Sequence, residues 1–267
     1  MTVTSKVVAL VQRVLKRRGL EVRRLAKEQA APEVAIDVLA LCVADLRARR
    51  DDLFFVQIGA HDGLSYDPMR PFVERLRLRG LLVEPQPRVF AQLVENYKEH
   101  PQLSFENAAI AQQDGTATLF SFAPAPGLPP HASMLASFRR ELLEANGHGY
   151  AGPIQSTSVP SLRLPTLLRK HAVERLDILQ LDTEGYDFEI LKMLDFSTIK
   201  PALKPALIHF ENNFLSPGES AECSSLLTKH GYRLLTLGID TIAFQQESTG
   251  FDERAAVSAL DARSQRL

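Results

Sequence analysis

The sequence predicts an α/β fold, a mostly parallel sheet with helices on both faces and one strand running against the rest. Three observations predict it. From residue 53 onward, short apolar runs alternate with helical segments, as in βαβ units. The first run, Leu53-Phe54-Phe55-Val56-Gln57-Ile58, is nearly continuous in apolar residues, as suits a strand covered on both faces. The last two runs, Tyr232 to Leu237 and Thr241 to Gln245, lie so close together that they must form an antiparallel hairpin.

The chain has 267 residues, enough for one large core without metal or disulfide staples. Its 31 Lys and Arg against 32 Asp and Glu leave a formal charge of -1, which argues against nucleic acid as a partner. Two cysteines, Cys42 and Cys223, cannot form a disulfide framework or a four-thiolate zinc site. Both sit among apolar residues, as small buried hydrophobes do in a reducing compartment such as the cytoplasm. No apolar run approaches the roughly 20 residues of a membrane span.

The elements follow in order. Residues 1–28 carry eight Lys and Arg against two Glu, with Val3, Val7, Leu10, Val11, Val14 and Leu15 at helical spacing. This amphipathic helix is expected to pack on its own domain or on the mate of a homodimer. Peripheral contact with an anionic membrane surface or a partner, and an organellar transit peptide, are the alternatives. A second helix starts near Ala31-Pro32-Glu33, presents Val34, Val38, Leu41 and Cys42 as its apolar stripe, and ends in Arg47-Ala48-Arg49-Arg50. Residues 1–50 thus form a helical extension, 51–247 the main domain and 248–267 a polar tail. Within the domain, strands are expected at Leu81 to Glu84, Leu103 to Asn107, Thr116 to Phe122, Leu176 to Leu181 and Ala206 to Glu211. Helices are expected at Arg88 to Glu99, Leu162 to His171, Phe188 to Leu194 and Ala221 to His230. Residues 123–160, rich in Pro and Gly, interrupt the alternation and read as a loop-rich cover over the site, with a helix at Met134 to Glu144. Asp67-Pro68 reads as a helix cap followed by a first-turn proline.

The first strand leads into Gly59-Ala60-His61-Asp62-Gly63, a turn at the edge where open α/β sheets bind ligands. Glu84 ends the next strand, 21 residues after Gly63, where an acid can accept both ribose hydroxyls of an adenosine. A dinucleotide fingerprint would need glycine where His61 stands, and no Lys follows Gly63 to make a phosphate loop. A nucleoside cofactor without phosphates fits better, and S-adenosylmethionine is the obvious one. Asp62 can meet the ammonium of its amino-acid tail or cap the turn.

Taken together, IGAHDG, LLVEP, ENAAI, ILQLDTEGYDFEILK and LIHFEN resemble an FkbM-type S-adenosylmethionine-dependent methyltransferase over residues 53–245. The resemblance implies the Rossmann-like, seven-stranded sheet of class I methyltransferases. It also implies methylation of a hydroxyl on a sugar, glycolipid or natural-product acceptor. It assigns Gly59, Ala60 and Gly63 to the methionine tail, Glu84 to the ribose diol, and Asn107 and Ala108 to the segment beside the adenine, with His61, Asp62 and Pro85 also counted as cofactor-binding. The family often has Asn at His61 and Lys at Gln180, two departures in this chain.

Asp182 closes the central strand at the same edge as Gly59, with Glu184 and Gly185 behind it. Methyl transfer is an in-line displacement that needs an oriented oxygen nucleophile and a proton acceptor. Asp182 is placed to orient, Glu184 either joins it or caps the next helix, and Glu211 ends the following strand as acceptor ligand or base. His61 is a candidate general base. Asp182, Glu211 and Asn212 also form an oxygen set for Mg2+ or Ca2+, as in catechol-type methyltransferases. Asp182 can in addition contact the cofactor. His131 and His148 lie in the cover, His100, His171 and His230 near helix ends, and His209 on a strand. No Ser-His-Asp or Cys-His set can be assembled. A nucleotide-sugar or dinucleotide oxidoreductase and a non-catalytic nucleoside-binding module of the same fold remain the competing functions.

Overall fold

The computed structural model describes residues 37–245 and 247, apart from 130, 131, 133, 134, 146–149 and 151. The expected basic helix, the helix start at Ala31-Pro32-Glu33, His131, His148 and the polar tail lie outside the described residues.

Helix α1 (Val38–Arg49) leads into β1 (Phe54–Ile58), α2 (Arg70–Leu76), β2 (Arg79–Val83), α3 (Pro87–Asn96) and β3 (Leu103–Glu106). Next come β4 (Ala109–Ile110), β5 (Gly115–Phe122), β6 (Ala136–Ser137), α4 (Arg140–Glu144) and β7 (Ile154–Leu162). The chain continues through α5 (Leu164–Lys170), β8 (Ile178–Leu181), α6 (Asp187–Lys192), β9 (Leu207–Glu211) and α7 (Pro217–Lys229). It closes with the hairpin β10 (Tyr232–Leu237) and β11 (Asp240–Gln245).

Seven strands form the main sheet in the order β10-β11-β9-β8-β1-β2-β3. Strands β3, β2, β1, β8 and β9 pair in parallel, and β11 runs antiparallel to both β9 and β10. The central strands are buried on both faces, so each carries apolar residues at odd and even positions alike. On one face Phe55, Leu82, Ile178 and Leu207 pack under α1, α2 and α3, through residues such as Cys42, Val43, Val73 and Leu93. On the other, Val56, Val83, Leu179 and Ile208 pack under α5, α6 and α7, through Leu167, Ile190, Cys223 and Leu227.

The structure corrects four local expectations. Leu41 is exposed, and α1 buries Leu39, Cys42, Val43 and Leu46 instead. Helix α2 begins at Arg70 with Met69 as its cap residue, so Asp67-Pro68 is not its start. Asp67 instead accepts hydrogen bonds from Gln57 Nε2 (3.0 Å), Met69 N (2.8 Å) and the Tyr97 hydroxyl (2.6 Å). Among its described residues the segment 123–160 is more ordered than a loop, and its helix starts at Arg140; Met134 lies outside the described residues. The segment holds the short α4, together with β6 and the start of β7, which belong to a second sheet ordered β4-β7-β5-β6. The strand expected at Thr116 to Phe122 lies in that small sheet too, paired antiparallel with β7 from Gly115↔Ser161 to Phe122↔Ile154.

At the opposite end of the main sheet, Asp177 joins β1 to β8. Its buried carboxylate accepts from Phe54 N (2.8 Å) and Arg175 Nε (2.9 Å) and pairs with Arg50 just beyond α1. Asp177→Ala strands the Phe54 N–H and one end of each arginine, so a loss of about 2–3 kcal/mol is expected. Urea unfolding reads it, and a loss within error would mean that the strand ends are held by apolar packing alone.

Candidate active site

Four strands end together at one edge, and their last residues make the site. Gly59 follows β1, Glu84 follows β2, Asp182 follows β8 and Glu211 ends β9. Gly59 has φ +81°, and a Cβ there would lie 1.8 Å from the Asp182 carbonyl oxygen, so only glycine fits. The Gly59 and Ala60 N–H groups both donate to the Val83 carbonyl, at 3.0 Å each, and Asp182 N donates to the Ile58 carbonyl at 3.0 Å. The turn is thereby fixed between its two neighbouring strands. Gly63, at φ +68°, packs on α3, where a Cβ would lie 2.5 Å from the Tyr97 ring.

A cavity of about 230 Å3 opens over this edge. Gly59, Ala60, His61, Glu84, Pro85, Ala108 and Asp182 all line it, together with Gln57, Gln86, Thr183 and Glu184. The small sheet and the chain beside it supply an apolar wall of Leu119, Leu135, Ala136 and Phe138. Asp62, Gly63 and Asn107 are not among the lining residues; they stand behind it. Asp62 accepts from Leu64 N (2.9 Å), Ser65 N (2.7 Å) and Ser65 Oγ (2.8 Å), which makes it the cap of the turn. Burial pushes its carboxyl up, but these bonds and His61 outweigh that and leave it below the ordinary value. The Asn107 amide donates to the carbonyls of Glu84 (2.7 Å) and Pro85 (3.2 Å), so it shapes the backbone behind Glu84.

Glu84 is 4% exposed and points inward. One carboxylate oxygen accepts from His61 N (3.1 Å), the other from Gln86 N (2.9 Å). Burial, against these two bonds, raises its pKa to about 7, with Asp182 and Asp62 adding to the rise. Gln57, on β1, is also buried and lines the same cavity. Its Nε2 donates to Asp67, while its Oε1 is buried and has no partner.

A second group of acids gathers around Asp182. Oxygens of Asp182, Glu184 and Glu211 lie within 4.8 Å of one another. Asp182 lines the cavity and is exposed through it, with the oxygens of the other two acids close by. Desolvation, then the charges of Asp187, Asp240 and Asp67, raise it to about 7. The same causes act on Glu211, raised to about 8 by desolvation, Asp182, Asp187 and Asp240. Glu184 rises to about 9 through desolvation, Asp182, Glu211 and Asp187. Glu184 does not cap α6; it sits at φ +52°, and Tyr186 is the cap residue. Asn212 is not a member of this oxygen set. Its amide donates to Thr241 Oγ1 at 2.8 Å, beside a different cavity.

Asp187, which the sequence reading passed over, holds the group together. It is fully buried and accepts from Thr183 N (2.9 Å), the Thr183 hydroxyl and Glu211 N (3.0 Å). One carboxylate thus ties the loop after β8 to the end of β9. Gln180, below Asp182, accepts from His209 Nδ1 at 2.6 Å, and its own amide donates to the Leu181 carbonyl. A hydrogen-bonded Gln180–His209 pair therefore fills the strand position where the family often has a lysine.

The sequence pattern of the methyltransferase FkbM domain matches residues 57–234. The chain belongs to the FkbM methyltransferase family. The match opens on Gln57 and spans every cavity acid named above. The sheet order and the antiparallel β11 make the fold that of class I methyltransferases. Similar solved structures include the N-terminal domain of human METTL16 in complex with SAH, at 12% identity and TM-score 0.44, covering 89% of this chain and 80% of that one. A methyltransferase FkbM from Methylobacillus flagellatus KT shares 10% identity at TM-score 0.43, covering 73% of this chain and 44% of that one. Precorrin-6y C5,15-methyltransferase from Geobacter metallireducens GS-15 shares 14% at TM-score 0.40, covering 80% and 92%. No curated protein sequence matches the chain significantly. Among the described residues, no helix is long and apolar enough to cross a membrane.

The raised acids of this FkbM domain set its stability against pH. Each binds its proton more tightly folded than unfolded, so the folded state holds protons that the unfolded chain has released. Stability should therefore fall as pH rises through about 7 to 9, the range of Glu84, Asp182, Glu211 and Glu184. Melting temperatures across that range should decline, and Glu184→Gln should flatten the decline. A melting temperature that climbs from pH 7 to 9 would contradict the assignment.

Proposed function

We propose that the chain transfers a methyl group from S-adenosylmethionine to a hydroxyl on a sugar, glycolipid or natural-product acceptor. The observation that carries this reading is the single cavity that has Glu84 at one side of Gly59 and Asp182 at the other.

The residues present fit such a cofactor. Glu84 has a backbone N–H on each oxygen and keeps acceptor capacity on both for the two hydroxyls of a ribose. Burial that raises its pKa also strengthens each hydrogen bond it accepts. The orphaned Gln57 Oε1 needs a donor, and an amino-acid ammonium is one. Gly59 and Ala60 keep the floor free of bulky side chains, and Ala108 with Pro85 offers a flat, apolar edge to a base.

When bound, the cofactor supplies a methyl group on a sulfonium, whose sulfur leaves neutral with the electron pair of the broken carbon–sulfur bond. Asp182 orients the acceptor hydroxyl and receives its proton as the oxygen–carbon bond forms. An ordinary Asp, at a pKa near ~3.9, is a weak base for this step. Raised to about 7, Asp182 holds the proton better and is still substantially ionised at neutral pH. Glu184 and Glu211, raised to about 9 and about 8, hold their own protons at neutral pH and leave Asp182 as the acid that takes the new one. His61 lines the same cavity and is the alternative base. The apolar wall from the small sheet limits water around the reacting atoms.

Four expectations follow from these roles. Glu84→Ala should weaken S-adenosylhomocysteine by about 1–3 kcal/mol in calorimetry, and unchanged affinity in a folded variant would take Glu84 out of the site. Asp182→Asn should leave that affinity nearly intact while turnover on sugar and glycolipid acceptors falls at least about 100-fold. Because the three acids serve as proton carriers, a chelator should leave turnover unchanged; its loss, restored by Mg2+, would favour the metal-assisted alternative. Tight NAD binding without S-adenosylhomocysteine binding would replace the reading with the oxidoreductase one.

A further inference from the structure

Tyr66 stands at the rim of the cavity and is 98% exposed, although it contributes to the lining. Its backbone is left-handed, at φ +58°, a conformation that a bulky side chain seldom adopts. Leu64, two residues earlier, is also exposed. The chain on either side of Tyr66 is clamped. Asp62 holds the N–H groups of Leu64 and Ser65 and the Ser65 hydroxyl, and Asp67 is held by Gln57, Met69 and Tyr97. The main chain at this point has fixed ends, and the ring is the part left to move. The same cavity is lined by the apolar residues Leu119, Leu135, Ala136 and Phe138.

We infer that Tyr66 is a gate residue whose ring swings from water onto the ligand in the cavity and closes its mouth. A ligand that fills the cavity offers the ring an apolar surface, and the ring then exchanges water for contact with it. The clamps at Asp62 and Asp67 keep the Cα in place, so closure is a side-chain rotation and needs no loop refolding. The phenol hydroxyl, at the ring's far end, can stay in water while the ring body is covered. Closure keeps water from the methyl-transfer position, which makes Tyr66 a positioning residue; the proton acceptors remain the acids below.

The inference rests on the proposed use of an adenosyl cofactor, and the test separates the two. The chain has no tryptophan, so Tyr66→Trp introduces a single indole as reporter. Titration with S-adenosylhomocysteine should shift its emission to the blue and lower acrylamide quenching at least about twofold as the ring is covered. Calorimetry on the same sample reads binding independently. Binding without any change in emission or quenching overturns the gate alone; absence of binding, in the wild-type chain as well, overturns the gate and the cofactor reading together. Tyr66→Ala should weaken S-adenosylhomocysteine about 10-fold, chiefly through faster release, and Tyr66→Phe should restore it. Equal affinities for the Ala variant and the wild type would also overturn it.

Discussion

The backbone of Gly59 rests against the Asp182 carbonyl with no room for a side chain between them. The rest of the site depends on that contact. It brings the end of β1 within reach of the end of β8, and the Asp182 N–H to Ile58 hydrogen bond locks the two strand ends in register. With that join made, the chain must leave β1 through a left-handed turn, and His61 is carried into the cavity with its N–H on Glu84. One steric fact thus sets the separation between the carboxylate on one side of the turn and the carboxylates on the other.

Much of this was legible in the residues. The apolar run ending at Ile58, the glycine after it and the acid after Val83 each carry a local signal, and the spacing between them survives folding. Strand β10 matches its expected bounds because Tyr232 and Leu237 sit between Gly231 and Gly238. The small sheet was less legible for a physical reason. Strand β7 is largely exposed along its length, and between Ile154 and Leu162 it is mostly Gln, Ser, Thr and Pro, so it offers no continuous apolar run. Its strand character comes from pairing with β5, a long-range contact. Helix α7 begins earlier than its apolar pattern suggests because Ser216 and Glu219 form a reciprocal cap, a signal written in the sequence as Ser-Pro-Gly-Glu.

Other residues were illegible because their meaning lies in partners far away in the chain. Asp187 looks like an ordinary first-turn acid of a helix, yet its bond to Glu211 N depends on β9 lying beside β8. Gln57 looks like a polar break in an apolar strand, and only the fold reveals that one of its amide atoms is satisfied and the other is not. Gln180 reads as the loss of a charge. In the sheet its side chain is hydrogen-bonded to His209, a partner 29 residues along the chain that only the pairing of β8 with β9 brings near.

The two sheets share no strand pairing among the described residues. The ladder that fixes Gly59, Glu84 and Asp182 is therefore complete without β5, β6 or β7, while one wall of the cavity is made by that smaller sheet and the chain beside it. Inherited changes in Leu119, Ala136 or Phe138 can recast the contour of that wall and leave the carboxylates where they are. A descendant of this chain can thus trade one molecular guest for another by editing a detachable panel, with the machinery beneath it conserved.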